Sequence, residues 1–468
     1  MTDYYNVNGF LRIPWDLLRL GSGVMVSLVL GVGIAGQAVA RLRQAQGIPV
    51  VVQDEQAGPG QQQRAAALEG IPCVLGQPFH LLPQTREVIV SPGIPWQHPF
   101  LEQARGLGIP VWGEAEVAWQ VLGQVPWIGV TGTNGKTTTT ALLAAMLRTA
   151  GLDAPACGNI GLPLAAVARE VVLGRRPDWI VAELSSYQIE ASGRIQPRIG
   201  VWTTLTPDHL ERHGSLERYS QIKAGLLHQS QAAVLNGDDA YLWEQRQLWP
   251  EAFWVKRDRA EKVVAWITGS RLCRTGYADL ELGDFGLRLP GEHNLQNLLL
   301  ATWAATLAGI PDEAIQRTIE QFQGVPHRLE TVKYGRGIRW INDSKATNYE
   351  AAWVGLQAVA GPVVLIAGGR AKIGRDQEWL ELIRQKVARV ILIGEAGEML
   401  ARRLAEVGYG AVDRVESLVE AVPLAYNHAQ RLAPCTVLFS PACASFDQYA
   451  NFEQRGDHFR ACCYALDG

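Results

Sequence analysis

The segment from Trp127 to Thr140 constrains the fold of this chain more than any other. Its sequence, WIGVTGTNGKTTTT, places an apolar strand before a glycine-rich turn, which leads into Lys136, Thr137 and a helical pattern. Glycines let backbone N–H groups converge on phosphate oxygens, and a helix N-terminus adds positive dipole. Lys136 can reach the terminal phosphates, and the Thr137 hydroxyl can ligate Mg²⁺. The segment therefore predicts a phosphate-binding loop in an α/β domain, in preference to the tip of a glycine-rich hairpin.

The composition is that of a multidomain globular protein. At 468 residues, the chain has room for roughly three domains of about 150 residues each. The 43 basic and 46 acidic residues give a net charge of -3, which offers no support for a nucleic-acid partner. The seven cysteines form no Cys-x-x-Cys pair and are expected to be reduced. Polar residues and glycines interrupt the longest apolar stretch, residues 24–40, and the N-terminus lacks a basic region before an apolar core. We therefore expect no membrane insertion and no signal peptide.

Apolar, β-rich runs alternate with helical patterns along the whole chain, which predicts α/β units built on parallel sheets. We expect three domains. They are an N-terminal domain (1–114), a central domain that contains the phosphate loop (115–324), and a smaller C-terminal domain (325–468). The boundaries rest on the change of pattern near residue 114 and on the interruption at Gly324-Val-Pro326.

A second glycine-rich motif lies near the N-terminus. Gly31, Gly33 and Gly36 follow an apolar strand and open a helix, and Asp54 ends the next strand, as in dinucleotide-binding folds. Taken alone, this motif favours an NAD-dependent oxidoreductase. A nucleotide-sugar diphosphate also satisfies the geometry, since the glycines only require a pyrophosphate near a helix N-terminus. Tight packing of strand on helix, with no ligand, stays open as a third interpretation.

Polar side chains follow two strands near the phosphate loop. Glu183 ends one strand, and Asp208 and His209 follow the next, at the sheet edge where α/β proteins bind ligands. Mg²⁺ favours one or two carboxylates plus substrate phosphates, so Glu183 with Thr137 is a plausible site and His209 could add a nitrogen ligand. The spacing of His209 and His213 could also suggest zinc, but the order His-Glu-x-x-His is missing.

Further along, several residues suit a nucleotide or another anion. Asn294 and Asn297 lie one helical turn apart and could bind a base or ribose, although Asn294 could equally cap the helix. Arg328 and Lys345 suit an anionic ligand. By spacing alone, Lys223 would be an ordinary solvated lysine of a helix.

The loop from Ser440 to Gln448 follows an apolar strand and is rich in small and polar residues. Its backbone N–H groups and Ser445 form a candidate carboxylate pocket. Cys443 is the competing candidate, as a nucleophile. No activating base stands beside it in the sequence, which favours a packed thiol instead.

Together these motifs resemble those of the Mur ligases over nearly the whole chain. The motifs that carry the resemblance are Gly132 to Thr137, Gly158 to Gly161, Glu183 to Tyr187, Thr206 to His209, Gly291 to Asn297, Pro326 to Arg328, Asn342 to Asn348 and Ser440 to Gln448. The last two look specifically like the branch that adds D-glutamate to UDP-N-acetylmuramoyl-L-alanine. The resemblance implies an ADP-forming amide ligase of cytoplasmic peptidoglycan synthesis, and it reassigns the first glycine motif from NAD to the UDP-sugar. It also implies that the N-terminal domain is Rossmann-like and binds the UDP-substrate, that the central domain is a P-loop ATPase-like domain with a parallel or mixed sheet, and that the C-terminal domain is Rossmann-like and binds the amino acid. We expect a monomer.

The resemblance also implies a role for individual positions. The expected catalytic residues are Lys136, Glu183, His209 and Lys223, the last as a carbamate. Two Mg²⁺ ions would be held by Thr137, Glu183, His209 and carbamylated Lys223. The expected ATP contacts are Gly132, Thr133, Asn134, Gly135, Lys136, Thr137, Thr138, Asn294, Asn297, Arg328, Asp343 and Lys345. The expected UDP-substrate contacts are Ile34, Gly36, Asp54, Ser91, Gly93 and Asn159. The expected D-glutamate contacts are Thr347, Lys372, Ser445 and Phe452.

In such a ligase the L-alanyl carboxylate attacks the γ-phosphate of ATP, and the amine of D-glutamate then attacks the acyl phosphate and expels phosphate. The sequence departs from the commoner family pattern at Ala35, Glu55 and Gln56, which bears on the uridine and pyrophosphate contacts. Three alternatives stay open: a sister amide ligase (another Mur enzyme or a folylpolyglutamate synthetase), an NAD-dependent oxidoreductase, and a nucleotide-binding scaffold without turnover.

Overall fold

Three β-sheets, with helices connecting their strands, make up the protein in a computed structural model that describes residues 25–82, 84–289, 291–371 and 376–466. This arrangement confirms the predicted α/β class. The chain divides into two units. The first comprises the chain up to Thr268 with Leu272–Asp279 and Asn297–Ile315, and the second comprises Gly269–Arg271, Leu280–Gln296 and Gln316–Gly468. The domain boundaries expected after residues 114 and 324 stay predictions.

The first sheet belongs to the first unit and is entirely parallel. Its strands are β1 (Val26–Leu30), β2 (Val50–Asp54), β3 (Cys73–Leu75), β4 (Thr85–Val90) and β5 (Val111–Gly113), and its helices are α1 (Ile34–Ala45), α2 (Pro59–Ala66), α3 (Pro99–Gly106) and α4 (Glu114–Leu122). The strand order is β3-β2-β1-β4-β5. The order reverses between β1 and β4, and such a switch point is where open α/β sheets bind ligands.

The second sheet lies in the same unit and carries the phosphate loop. Its strands are β6 (Trp127–Thr131), β7 (Ala156–Gly158), β8 (Ile180–Glu183), β9 (Ile199–Trp202), β10 (Ala232–Asn236), β11 (Phe253–Val255), β12 (Val263–Thr268) and β13 (Arg271–Arg274). Its helices are α5 (Lys136–Thr149), α6 (Leu164–Val172), α7 (Ser186–Glu190), α8 (Leu210–His213), α9 (Leu216–His228) and α10 (Ala240–Glu244), followed by a 3₁₀ turn at Arg246–Leu248. Strand β6 lies between β8 and β9 and is parallel to both, so the carboxyl ends of all three strands share one edge.

After β13 the chain forms β14 (Leu280–Glu281), the ninth strand of the second sheet, followed by three helices. These helices are α11 (Phe285–Arg288), α12 (Glu292–Leu307) and α13 (Asp312–Gln321).

The third sheet belongs to the second unit. It consists of β15 (Glu330–Gly335), β16 (Ile338–Asn342), β17 (Val363–Gly368), β18 (Val387–Ile393), β19 (Val412–Arg414) and β20 (Cys435–Phe439), with helices α14 (Tyr349–Ala358), α15 (Gln377–Lys386), α16 (Gly397–Glu406), α17 (Leu418–Leu432) and α18 (Phe452–Ala465). The order is β15-β16-β20-β17-β18-β19, with β15 antiparallel at one edge.

Helices cover both faces of this third sheet, so its central strands are apolar on both sides. In β17, Leu365 packs into the core on one face, and Val364 and Ile366 pack into the core on the other. Because alternate residues of such a strand pack into two different cores, the strand appears in the sequence as an unbroken apolar run. Among the residues that the structure describes, no helix combines the length and the apolar character needed to cross a membrane.

Candidate active site

The phosphate loop connects β6 to α5 and is folded around its own lysine. Gly135 has a φ of 86° and precedes the helix that begins at Lys136. The Nζ atom of Lys136 donates to the carbonyl oxygens of Gly132 and Thr133, at 2.8 Å each. The ammonium group and the N-terminus of α5 therefore lie in the same loop, where both favour anions.

Two threonines that follow β9 hold this loop. The N–H of Asn134 donates to Oγ1 of Thr204 at 2.9 Å, and Oγ1 of Thr203 donates to the carbonyl oxygen of Asn134. A Cβ atom at Gly132, whose φ is 143°, would lie 2.0 Å from Oγ1 of Thr203, so this position requires glycine. Sequence reasoning missed both threonines, although polar residues directly after a buried strand are a usable signal.

Asn297 of α12 lies against the same loop. Its Oδ1 accepts a hydrogen bond from Oγ1 of Thr139 at 3.3 Å and would lie 2.4 Å from a Cβ atom at Gly135. Asn294 is also buried but belongs to the second unit. Thr137 and Thr138, the other predicted nucleotide contacts in this region, are buried in the first turn of α5.

Glu183 ends β8, beside the phosphate loop strand. Its side chain is buried, and Oε1 accepts a hydrogen bond from Nδ2 of Asn159 at 2.9 Å. Oε2 is buried without a hydrogen-bond partner among the described residues. A buried carboxylate oxygen without a partner is costly, and a bound cation would remove that cost. The described residues contain no group of three or more His, Cys, Asp or Glu side chains placed to hold a metal ion.

Lys223, on α9, is 1% exposed, contrary to its appearance in the sequence. Its Nζ donates to the carbonyl oxygen of Gly132 at 2.8 Å and lies 4.5 Å from the centre of the Tyr219 ring. Burial lowers the pKa of Lys223 well below its ordinary value, and the charge of Lys136 lowers it further. The neutral amine is therefore the favoured form.

His209 precedes α8 and has a left-handed φ of 54°. Its Nε2 lies 3.4 Å from Asp208, its Nδ1 lies 3.7 Å from Glu211, and its ring centre is 5.1 Å from that of Tyr187. The imidazole is thus half exposed between two carboxylates.

Within the glycine motif of the first sheet, Gly36 packs directly against the backbone of Gly31. A Cβ atom at Gly36 would lie 1.9 Å from the carbonyl oxygen of Gly31, whereas one at Gly33 would meet no described atom within 4 Å. Asp54 accepts hydrogen bonds from the N–H groups of Val32 at 2.9 Å and Gln56 at 3.0 Å, so it fixes the loop itself.

The remaining residues predicted for the UDP-substrate are spread around this switch point. Ser91 follows β4, and its Oγ donates to the carbonyl oxygen of Gly31 at 3.3 Å. Ile34 is 74% exposed, and Gly93 has open space around it. The structure therefore brings Gly31, Gly36 and Ser91 together at the end of β1.

In the second unit, Asp343 lies at the end of β16 and is buried. Its Oδ2 accepts a hydrogen bond from Oγ of Ser440 at 2.8 Å, and its Oδ1 accepts one from the N–H of Leu329 at 3.3 Å. Burial raises the pKa of Asp343 to about 7, although Ser440 and the charge of Arg328 oppose the shift.

The side chain of Asn342 joins this strand end to the segment at 327 and to α18. Its Nδ2 lies 3.0 Å from Nδ1 of His327 and donates to the carbonyl oxygen of Gly456 at 3.1 Å. The N–H of Lys345 donates to the carbonyl oxygen of His327 at 3.0 Å, and its Nζ lies 5.4 Å from the centre of the Phe452 ring. Arg328 and Lys345 therefore lie on two chain segments that are joined by the hydrogen bond between Lys345 and His327.

Arg455, which no sequence argument singled out, is a buried cation of α18 that contacts the loops after β16 and β20. It donates to the carbonyl oxygen of Ser344 at 2.8 Å, to Oγ of Ser344 at 3.1 Å and to the carbonyl oxygen of Cys443 at 3.0 Å. Burial lowers the pKa of its guanidinium to about 10. The sequence contains little indication that Arg455 is buried, because a lone arginine in an amphipathic helix is usually solvated.

The residues predicted to bind D-glutamate lie around these loops. Ser445 is 2% exposed and Phe452 begins α18, where Asn451 caps the helix by accepting from the N–H of Gln454 at 2.7 Å. Thr347 is half buried before α14. Lys372 lies outside the described residues.

Comparison with known proteins agrees with this geometry. The Mur ligase MurD-like N-terminal domain matches residues 25–113, the Mur ligase middle domain matches 130–305, and the Mur ligase glutamate ligase domain matches 327–443. The chain therefore belongs to the Mur ligase family, which confirms the resemblance found in its motifs.

Curated relatives carry a more specific name. UDP-N-acetylmuramoylalanine--D-glutamate ligase of Synechococcus sp. (strain JA-3-3Ab) is 56% identical over 94% of this chain and 98% of its own length, and that of Gloeobacter violaceus is 50% identical over 94% and 98%. Among solved structures, the UDP-N-acetylmuramate-alanine ligase of Thermotoga maritima is similar in fold, with a TM-score of 0.61 at 19% identity over 95% of this chain and 100% of that one.

Proposed function

We propose that this protein joins D-glutamate to the L-alanyl carboxylate of UDP-N-acetylmuramoyl-L-alanine, with conversion of ATP to ADP and phosphate, in cytoplasmic peptidoglycan synthesis. The observation that carries the proposal is the convergence of Lys136, Lys223 and Glu183 on one phosphate loop. It is supported by the near full-length similarity to relatives named for D-glutamate addition.

ATP fits the phosphate loop by charge. The ammonium of Lys136 and the N-terminus of α5 offset the negative charge of the phosphates, and glycine at 132 and 135 lets the loop backbone pack closely against Thr203 and Asn297. Phosphoryl transfer needs positioning and charge neutralisation more than covalent help from the protein. Asn297 would contact the nucleotide from α12, while Asn294, Arg328, Asp343 and Lys345 remain proposed contacts.

Mg²⁺ fits the donors beside that loop. The unpartnered Oε2 of Glu183 and the hydroxyl of Thr137 are oxygen donors of the kind this ion prefers, and His209 is the proposed further ligand. When bound, the metal neutralises charge on the phosphate oxygens. Asn159 would orient the Glu183 carboxylate through their 2.9 Å hydrogen bond.

Lys223 is the proposed site of carbamylation. Its neutral Nζ would add to CO₂ and release a proton, which replaces a buried neutral amine with an anionic oxygen donor. The lowered pKa supports this chemistry, because only the unprotonated amine reacts. His209, half exposed between carboxylates, is the proposed group that takes the proton from the amine of D-glutamate, with released phosphate as the alternative.

The substrates at the other sites are proposed by position. The UDP-sugar would occupy the switch point around Gly36 and Ser91, with Ile34, Asp54 and Gly93 near it. D-glutamate would use Thr347, Lys372, Ser445 and Phe452.

The test is phosphate release from the purified protein with ATP, Mg²⁺ and UDP-N-acetylmuramoyl-L-alanine, in the presence of D-glutamate, L-glutamate, L-lysine, diaminopimelate or no amino acid. Only D-glutamate should stimulate release. Stimulation by another amino acid would identify a sister ligase with the same chemistry. Absence of turnover with all of them would overturn the ligase proposal.

A further inference from the structure

One arginine that none of the predicted sites includes joins two of them. Arg212 lies on α8, and its side chain is 14% exposed. Its Nη1 donates to the carbonyl oxygen of Pro92 at 3.2 Å, and its Nη2 donates to that of Ile94 at 3.3 Å. Two neighbouring carbonyls of the loop after β4 are thus held by one planar guanidinium, which lysine could not reproduce.

The guanidinium is itself held in place. Its central carbon lies 4.1 Å from the centre of the Tyr187 ring, and Nη2 lies 3.9 Å from the carboxylate of Glu190. Glu190 also accepts a hydrogen bond from Nε2 of Gln97 at 3.1 Å. The loop after β4 is therefore connected to Glu190 of α7 in two ways, directly through Gln97 and through the guanidinium of Arg212.

Both ends of this connection carry proposed reactive or binding groups. On one side, Ser91 bonds to the carbonyl oxygens of Gly31 and Leu30 at the switch point. On the other, the N–H of Arg212 donates to the carbonyl oxygen of His209 at 3.0 Å, within the single turn of α8.

We propose that Arg212 is a positioning residue that sets the loop at 91–94 relative to the turn bearing His209, and so places the UDP-substrate for phosphoryl transfer. The inference rests on the proposed function. Arg212 touches no reacting atom. It acts because a displacement of about 1 Å between reacting groups can cost about 100-fold in rate.

The chain offers a matched control. Arg218, on α9, lies 4.0 Å from the same Glu190 and is 55% exposed, and the described residues show no hydrogen bond from its guanidinium to residues 91–94. Arg212→Met and Arg218→Met thus remove the same charge near the same carboxylate. Arg212→Lys keeps the charge but cannot hold both carbonyls.

Steady-state kinetics and calorimetric binding of UDP-N-acetylmuramoyl-L-alanine test the proposal. Arg212→Met should raise KM for this substrate about tenfold and lower kcat, with KM for ATP unchanged within about twofold. Arg212→Lys should be intermediate, and Arg218→Met should behave as wild type. If Arg212→Met fails to fold, Arg212→Lys replaces it in the test. KM for the UDP-substrate should then rise while KM for ATP stays unchanged.

Two results would overturn the inference. They are unchanged kinetics in Arg212→Met and Arg212→Lys, and an equal rise in KM for every substrate. If the wild type itself does not bind the UDP-substrate, the proposed function fails first, and that result is distinct because it precedes any comparison of variants.

Discussion

Lys136 and Lys223 donate to the same carbonyl oxygen, that of Gly132, at 2.8 Å each. Two ammonium groups on one acceptor repel each other, and Lys223 is buried. Burial lowers the pKa of Lys223, and this repulsion lowers it further. Both effects favour the neutral amine of Lys223 over its ammonium form.

We expect Lys223→Met to lose about 100-fold or more in ligase turnover, with partial recovery on addition of acetate, which supplies carboxylate oxygens in place of a carbamate. Lys223→Arg should not recover. Carbon-13 NMR under ¹³CO₂ should show a carbamate in the wild type at a pH where free lysine is protonated. Lys256→Met, at a partly exposed ion pair, is the control and should be active. An active Lys223→Arg protein would exclude the carbamate.

Glu183→Gln should weaken the response to Mg²⁺, because it removes the buried charge that lacks a partner. In thermal unfolding with ADP, Mg²⁺ should raise the Tm of the wild type more than that of the variant. Turnover should fall about 100-fold at any Mg²⁺ concentration. Glu170→Gln, on the exposed face of α6, should respond to Mg²⁺ as the wild type does. Equal Tm shifts in Glu183→Gln and the wild type would rule out Glu183 as a ligand.

Gly36→Ala should destabilise the protein, although alanine is ordinarily the better residue within a helix. Its Cβ would lie 1.9 Å from the carbonyl oxygen of Gly31, and that collision should cost about 2 kcal/mol or more in the free energy of unfolding. Gly33→Ala, in open space three residues earlier, should cost about 1 kcal/mol or less, because it only replaces a favoured N-cap residue. Chemical denaturation measures both, and similar values would contradict the packing argument.

The buried carboxyl of Asp343 should make stability fall as pH rises. Its pKa is raised to about 7, so the folded state retains a proton that the unfolded state has released above about pH 4. This stabilisation is complete below the unfolded pKa and is lost as pH rises through 7. Asp343→Asn should therefore gain stability relative to wild type between pH 5 and pH 8, by about one to a few kcal/mol.

Asp376 provides a control of opposite sign. Its hydrogen bonds to Arg403 lower its pKa, so its contribution is present above the unfolded pKa and is lost as pH falls through the folded value. Asp376→Asn should destabilise the protein at pH 7 and have less effect in acid. Denaturation at several pH values checks both signs, and parallel curves for the two variants would refute the assignments.

Arg455→Lys should cost about 2 to 4 kcal/mol in stability, because it leaves buried acceptors of Ser344 and Cys443 without donors. KM for D-glutamate should rise, since the same loops carry Lys345 and Ser445. Arg460→Lys, on the same helix but partly exposed at Glu330, should cost under about 1 kcal/mol. A stable Arg455→Lys protein with unchanged KM would show that the loops hold without this residue.

The sequence was sufficient to predict the three-sheet α/β class and the phosphate loop, because both depend on local patterns of apolar strands and glycine turns. It could not predict that Lys223 is buried, since that depends on packing against strands distant in the chain. Arg455 was missed for the same reason, and so was the contact made by Asn342, although the motif at Asn342 to Asn348 was recognised. Asn342 meets Gly456 across 114 residues of chain, and no local spacing records such a pair.

The tight packing within the glycine motif of the first sheet restricts how this loop can evolve. At Gly36 any side chain would collide with the backbone of Gly31, so this position is barred to substitution by geometry alone. We expect substitutions in this loop to occur instead at neighbours of Gly36. Examples are Ile34, which is largely exposed, and Ala35, where the chain already departs from the commoner family pattern. Descendants of this chain can therefore vary the exposed residues beside the turn while the backbone geometry of the turn is inherited unchanged.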